Sequence, residues 1–202
     1  MGPLESPTTV FLTGGTGLIG GPLAEVLARA GHEVLLLVRP HSLKPTEAWL
    51  REFKKTDPDA RGRILPLLGD LTRPEILEKP SNRERVLADA TVLFHAGAAT
   101  HLAVDAATAE AVNVGGTEAV LQLARGSLAL RRLVYLSAAA VAGDTEGAFG
   151  EGELARGQAF YSRYAESKYR AEEVVRGAMG DLPTTILRPS HVVGRRGDGA
   201  IA

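Results

Sequence analysis

Thr13-Gly14-Gly15-Thr16-Gly17-Leu18-Ile19-Gly20 stands between a short β-branched and aromatic run at 8–12 and a stretch at 18–30 whose apolar residues recur at helical spacing until Gly31. Strand, glycine turn and helix follow in that order, and each of three glycines then has a physical task. Gly14 permits the tight turn, Gly17 lets backbone N–H groups approach a phosphate, and Gly20 lets the helix lie close against the sheet. The helix N-terminus turns its positive dipole end toward the same anion. In this setting Gly14, Thr16, Gly17, Leu18, Ile19 and Gly20 are expected to cradle the pyrophosphate of a dinucleotide.

The same alternation continues outward from the turn. An almost wholly apolar run at 33–38 reads as a parallel strand covered on both faces, and a polar loop leads to a helix at 46–55. Strands follow at 64–68 and 91–95, a long helix at 105–125, a strand at 133–137, a second long helix at 161–179 and a strand at 184–187. Unbroken strand–helix alternation predicts an α/β, Rossmann-type doubly wound parallel sheet with helices on both faces. Its ligand would lie beyond the carboxyl ends of the strands. The glycine-rich stretch from Gly143 to Gly157 reads as one long functional loop.

Composition narrows the function. The chain of 202 residues, 45% hydrophobic, can bury one sizeable core, and its net charge of -1 provides no basic field for nucleic acid or a membrane surface. The longest apolar runs fall far short of the roughly 20 residues of a membrane span. Cysteine is absent, which removes disulfides and thiolate chemistry and agrees with a cytoplasmic setting. Residues 1–7, with Pro3 and Pro7, are expected to form a flexible leader, leaving 8–202 as the nucleotide-binding domain. The five histidines show no metal-ligand spacing, so no metal is expected; His95 and His191, at strand ends, read as packed or solvated residues.

A domain that binds NAD commonly offers an acidic residue to the adenosine ribose at the end of strand two, where this chain has Val38-Arg39-Pro40. The Arg39 guanidinium suits a 2′-phosphate, so NADP(H) is expected to be preferred, with NAD(H) the lesser alternative. Ser42 and Lys44 could assist; the bland alternative is a solvated loop arginine. Further on, Tyr164 and Lys168 are four apart in a predicted helix and so share one face. A phenol with a pKa near ~10 gives up its proton to an alkoxide more readily when an ammonium stabilises the phenolate.

These features resemble the extended short-chain dehydrogenase/reductases. The likeness runs through the glycine turn, Gly69-Asp70-Leu71, His95-Ala96-Gly97-Ala98, Asn113-Val114-Gly115-Gly116-Thr117, the Tyr164/Lys168 pair and Arg188-Pro189-Ser190. Val141-Ala142-Gly143, Gly157-Gln158-Ala159-Phe160 and the run from Arg188 to Gly194 look most like the thioester-reductase and fatty-acyl-reductase branch, called male-sterility-like. The resemblance implies that Asp70 and Leu71 meet the adenine, that Ala96, Gly97, Ala98 and Asn113 line the cofactor, that Lys168 holds the nicotinamide ribose, and that Pro189 and Ser190 sit near the nicotinamide. Asp70 could instead cap a helix start, and Asn113 could satisfy a helix bulge. It also implies a homodimer through the helices at 105–125 and 161–179, whose Ala- and Val-rich faces exceed what one sheet contact needs.

Two departures stand out. The hydroxyl residue that ends strand five in this family falls on Ala138, and the adjacent Ser137 can replace it only if the strand has already turned, because neighbouring strand side chains face opposite ways. The chain also stops soon after strand six, so the lobe that closes over the substrate is expected to be largely missing. The expected activity is reduction of an acyl thioester, aldehyde or ketone by NADPH, with Tyr164 as proton donor. A nucleotide-sugar epimerase or dehydratase and a non-catalytic NADP(H)-binding sensor or scaffold are the alternatives.

Overall fold

The computed structural model describes residues 7–101 and 103–193. Of the expected leader only Pro7 is among them, and Gly194 lies outside the described residues. Six strands, β1 Thr9–Thr13, β2 Glu33–Val38, β3 Arg63–Leu68, β4 Val92–His95, β5 Arg132–Leu136 and β6 Thr184–Leu187, form one sheet. All are parallel, in the order β3-β2-β1-β4-β5-β6. The order reverses at β1, which puts the first glycine turn at the switch point of the sheet, where a crevice opens beyond the strand ends.

Strict alternation along the strands sorts the core into two layers. Leu12, Val34, Leu36 and Val38 pack with Ala24 and Ala28 of α1 (Gly20–Arg29) and Phe53 of α2 (Leu43–Thr56). Their neighbours Phe11, Leu35, Leu37, Leu93, Leu133 and Tyr135 face the other way, onto Val86 of α3 (Pro80–Asp89), Val120, Leu121 and Ala124 of α5 (Gly116–Arg125), and Ala171 and Val175 of α6 (Arg163–Gly177). Among the described residues no helix is long and apolar enough to cross a membrane.

α3 has no counterpart in the sequence reading, because within its ten residues only Val86 is fully buried and the remainder is largely polar or charged. Pro80 at its first turn was the available signal. The predicted helix at 105–125 is α4 (Ala106–Ala109), a π turn over Glu110–Gly115 and α5 in one run, started by Asp105, whose side chain accepts from Thr108 N at 2.9 Å. α6 begins behind Ser162, whose Oγ accepts from Ala165 N at 3.1 Å.

Part of the apolar surface of the two helices expected to pair two copies is spent within the chain. Val120, Leu121, Leu123, Ala124, Ala171 and Val175 are buried in the core, while Glu118, Gln122, Arg170 and Glu173 are exposed. On the same stretches Ala106, Ala107, Ala111, Tyr161 and Met179 are exposed, and Val112, Ala119 and Val174 half-buried.

β1 leaves the sheet through Gly14 at φ +72°, where a Cβ would lie 2.5 Å from the carbonyl carbon and oxygen of Ala96. Gly20 is as constrained, with a Cβ falling 2.3 Å from the Gly14 carbonyl oxygen. Both obstacles are backbone, which cannot rotate away. Gly14→Ala is expected to cost about 2–4 kcal/mol of unfolding free energy, from the left-handed conformation and the clash together. Urea unfolding showing a loss under about 1 kcal/mol would contradict that close approach.

Candidate functional site

The glycine turn presents an open face. Thr16 and Gly17 are exposed, Leu18 and Ile19 half-buried, and Gly17 N closes the turn on Gly14 O at 3.0 Å. The residue ahead of α1, Ile19, provides no side-chain cap, and the first turn of the helix holds no acidic residue. An uncapped, acid-free helix start behind exposed glycine suits an anion, and these residues fit the pyrophosphate of a dinucleotide.

Beside the turn lies a row of buried polar groups that sequence spacing could not assemble. Parallel register places Thr13 beside His95 and His95 beside Tyr135 at the carboxyl ends of β1, β4 and β5. Thr13 Oγ1 lies 2.7 Å from His95 Nδ1 and accepts from Gly97 N at 3.1 Å, while His95 Nε2 lies 3.0 Å from Thr117 Oγ1. Thr117 Oγ1 gives its own proton to Asn113 O at 2.6 Å, so it can only accept from His95. The partners thus assign the Nε2–H tautomer, with Nδ1 accepting from Thr13. Burial, reinforced by the charge of Lys168, holds the imidazole neutral by pushing its pKa down to about 3.

The row continues into α6. Lys168, 2% exposed, donates to Tyr135 Oη at 2.8 Å and to Leu136 O at 2.7 Å, and its Nζ sits 4.3 Å from the Tyr135 ring centroid. Burial lowers the Lys168 pKa to about 7, against the raising influence of Glu172. Burial likewise raises Tyr135 and Tyr164 above the usual phenol range, which keeps both protonated near neutrality. Tyr164 is half-buried one turn before Lys168, and among the described residues its hydroxyl has no hydrogen-bond partner.

One turn beyond Lys168, the wholly buried Glu172 forms a cluster that the sequence reading missed. Its carboxylate accepts from Ser137 Oγ at 2.6 Å, from Arg176 Nε at 2.9 Å and from both forks of Arg188 at 2.6 and 3.0 Å. Burial alone would raise the carboxyl, but Arg188, Ser137 and Arg176 together bring it below the ordinary carboxylate range. Arg188 and Arg176 also donate to the carbonyls of Gly150, Glu151, Gly152 and Glu153, which pins the glycine-rich loop. The i, i+4, i+8 spacing of Tyr164, Lys168 and Glu172, with an arginine closing β6, was the signal for it.

This cluster corrects the reading of Ser137. Ala138 is still extended, at φ −152° and ψ 150°, so the chain has not turned and the Ser137 side chain faces α6. Its hydroxyl is committed to Glu172 and does not replace the missing group at Ala138.

The remaining expected residues divide. Asn113 sits in the π turn, its Oδ1 accepting from Ala99 N at 2.7 Å and its Nδ2 donating to Ala99 O and Ser167 Oγ, which is the bulge-satisfying role foreseen as the alternative. Asp70 caps no helix; Oδ1 accepts from Thr72 N at 2.9 Å in a local turn, held where the buried Ile76 adopts φ +57°. Leu71 packs so close to Gly97 that a Cβ there would meet it at 2.6 Å, while Ala96 and Ala98 are half-buried on either side. Pro189 O accepts from Ala139 N at 2.8 Å; Ser190, His191 and Arg39 are exposed, and among the described residues the Arg39 guanidinium has no partner.

A profile of the male sterility protein family matches residues 12–202. This chain belongs to that family. It lies within the extended short-chain dehydrogenase/reductases. Fatty acyl-CoA reductase wat of Drosophila melanogaster is 26% identical over 220 residues, covering 91% of this chain and 43% of that protein. Among solved structures, the terminal R domain of the myxalamid PKS-NRPS pathway superposes with a TM-score of 0.79 at 27% identity, over 95% of this chain and 51% of that one. The Bordetella bronchiseptica enzyme WbmG, solved with NAD and UDP, gives 0.68 at 25% identity over 91% of this chain and 53% of its own. The family member described here therefore spans about half the length of these proteins.

The neutral His95 makes stability pH-dependent. The unfolded chain takes up its proton near pH 6.5 and the folded protein only near 3, so the stability present above 6.5 is lost as pH falls toward 3. Between about pH 5 and 4 the unfolding free energy should carry close to one proton more of pH slope than in His95→Gln. Equal slopes in urea titrations of the two proteins would refute the assignment.

Proposed function

We propose that this chain carries the cofactor-binding half of an NADPH-dependent reductase of acyl thioesters, aldehydes or ketones. The observation that carries this reading is the buried Lys168 amine, held by Tyr135 and Leu136 one helical turn from an unpartnered Tyr164 hydroxyl. The likeness to a fatty acyl-CoA reductase and to a terminal R domain supports the substrate class. Gly14, Thr16, Gly17 and Gly20 would hold the pyrophosphate, Arg39 a 2′-phosphate, and Lys168 the ribose beside the nicotinamide. Bound NADPH supplies the hydride. Tyr164 Oη donates its proton to the substrate oxygen as the carbon is reduced, and the Lys168 ammonium stabilises the phenolate left behind.

Ala138 leaves the developing oxyanion one donor short, a loss worth about 3 kcal/mol in comparable sites. That position favours the binding-only alternative; a competent Tyr164/Lys168 pair favours catalysis. The likeness to WbmG keeps the epimerase alternative in view, and Arg39 in place of an acid weighs against it.

NADPH oxidation measured against a panel of thioesters, aldehydes and ketones tests the reading. Tyr164→Phe should lower turnover by roughly 100-fold or more with little change in NADPH affinity, whereas Lys168→Ala should lower both. Undiminished turnover in Tyr164→Phe would remove this mechanism. Calorimetry should show tighter binding of NADPH than of NADH, and Arg39→Ala should narrow that gap by about 1–3 kcal/mol. Equal affinities in the unsubstituted protein would show that Arg39 does not select the phosphate.

A further inference from the structure

We propose that Tyr135 is a positioning residue for Lys168, its phenolic oxygen and the Leu136 carbonyl taking two of the ammonium's three N–H donors and leaving the third as the one presented to cofactor and Tyr164. The role in turnover rests on the reductase reading above; the hold on the amine does not.

An ammonium on a four-carbon stem is a poorly directed group unless its donors are spent on fixed acceptors. Here both acceptors are rigid. Leu136 O belongs to the end of β5, and Tyr135 is 1% exposed, in register with His95 on β4, whose ring centroid lies 5.6 Å away. The ring lies alongside the same ammonium, with 4.3 Å from Nζ to its centroid.

The groups that face the amine decide how its charge responds to this contact. From α6 come Glu172, which favours the ammonium, and the neutral Tyr164; from β4 comes His95, neutral at any pH above about 3; from β5 comes Tyr135 itself. Glu172 is largely compensated by Arg176 and Arg188. With the phenolic oxygen removed, a buried ammonium loses one of two acceptors, and its charged form becomes harder to maintain. The charged form is the one that supports proton donation by Tyr164, so turnover should fall as pH rises through the Lys168 pKa of about 7.

The experiment compares the unsubstituted protein, Tyr135→Phe and the control Tyr169→Phe, whose hydroxyl meets only the exposed Glu173. Each carries 13Cε-labelled lysine, and the Lys168 signal is assigned by its loss in Lys168→Met. In the absence of cofactor the Lys168 titration should move down by about one pH unit in Tyr135→Phe, as for one lost charge-assisted hydrogen bond, and stay in place in Tyr169→Phe. The alkaline limb of NADPH-dependent turnover should move down by the same amount, a pH-profile change that a merely loosened fold would not produce. An unmoved Lys168 titration in Tyr135→Phe overturns the proposal, even if the unsubstituted protein reduces its substrate. A shifted titration in a protein that reduces no carbonyl or thioester upholds the hold on Lys168 and rejects the reductase reading.

Discussion

The architecture turns on a requirement of hydrogen-bond satisfaction. At the carboxyl edge of the sheet, Thr13, His95 and Tyr135 are buried side by side, and each polar atom there must find a partner because water does not supply one. The solution fixes much else. Gly97 N anchors the Thr13 end beside the glycine turn, Thr117 on α5 closes the middle, and Lys168 on α6 closes the far end. The glycine turn and the Tyr164/Lys168 helix are thereby both set against one buried polar edge of the sheet.

The π turn follows from the same demand. Thr117 must reach His95, and Asn113, one turn earlier, must reach both the backbone of Ala99 and Ser167 of α6. The widened turn over Glu110–Gly115 carries Asn113 into that bridge while the helix runs on into α5. Asn113 thus serves as a strut between the backbone at Ala99 and α6.

Glu172 does for the next turn of α6 what His95 does for the sheet edge. A buried carboxylate is costly unless its lone pairs are filled, and Ser137, Arg176 and Arg188 fill them. Because the two arginines spend their remaining donors on the loop carbonyls at 150–153, one carboxylate fixes β5, β6, α6 and the loop together. Removing one partner would strand charge in the interior, so this cluster acts as a unit.

The sequence alone determined what depends on local pattern. The glycine turn, the two-sided apolar strand at 33–38 and the helical spacing of the apolar residues each carry a local signal, which is why the six strands, the turn after the first of them and the shared helix of Tyr164 and Lys168 were legible in the sequence. α3 was not, because its first turns bury almost nothing. What register and side-chain direction decide was left to the tertiary structure. Tyr135 meets Lys168 across 33 residues and Glu172 meets Ser137 across 35, and no local period encodes either meeting. Whether Ser137 or Ala138 faces the site likewise depended on where β5 ends its extended course, a matter of backbone torsion that adjacent residue types do not specify.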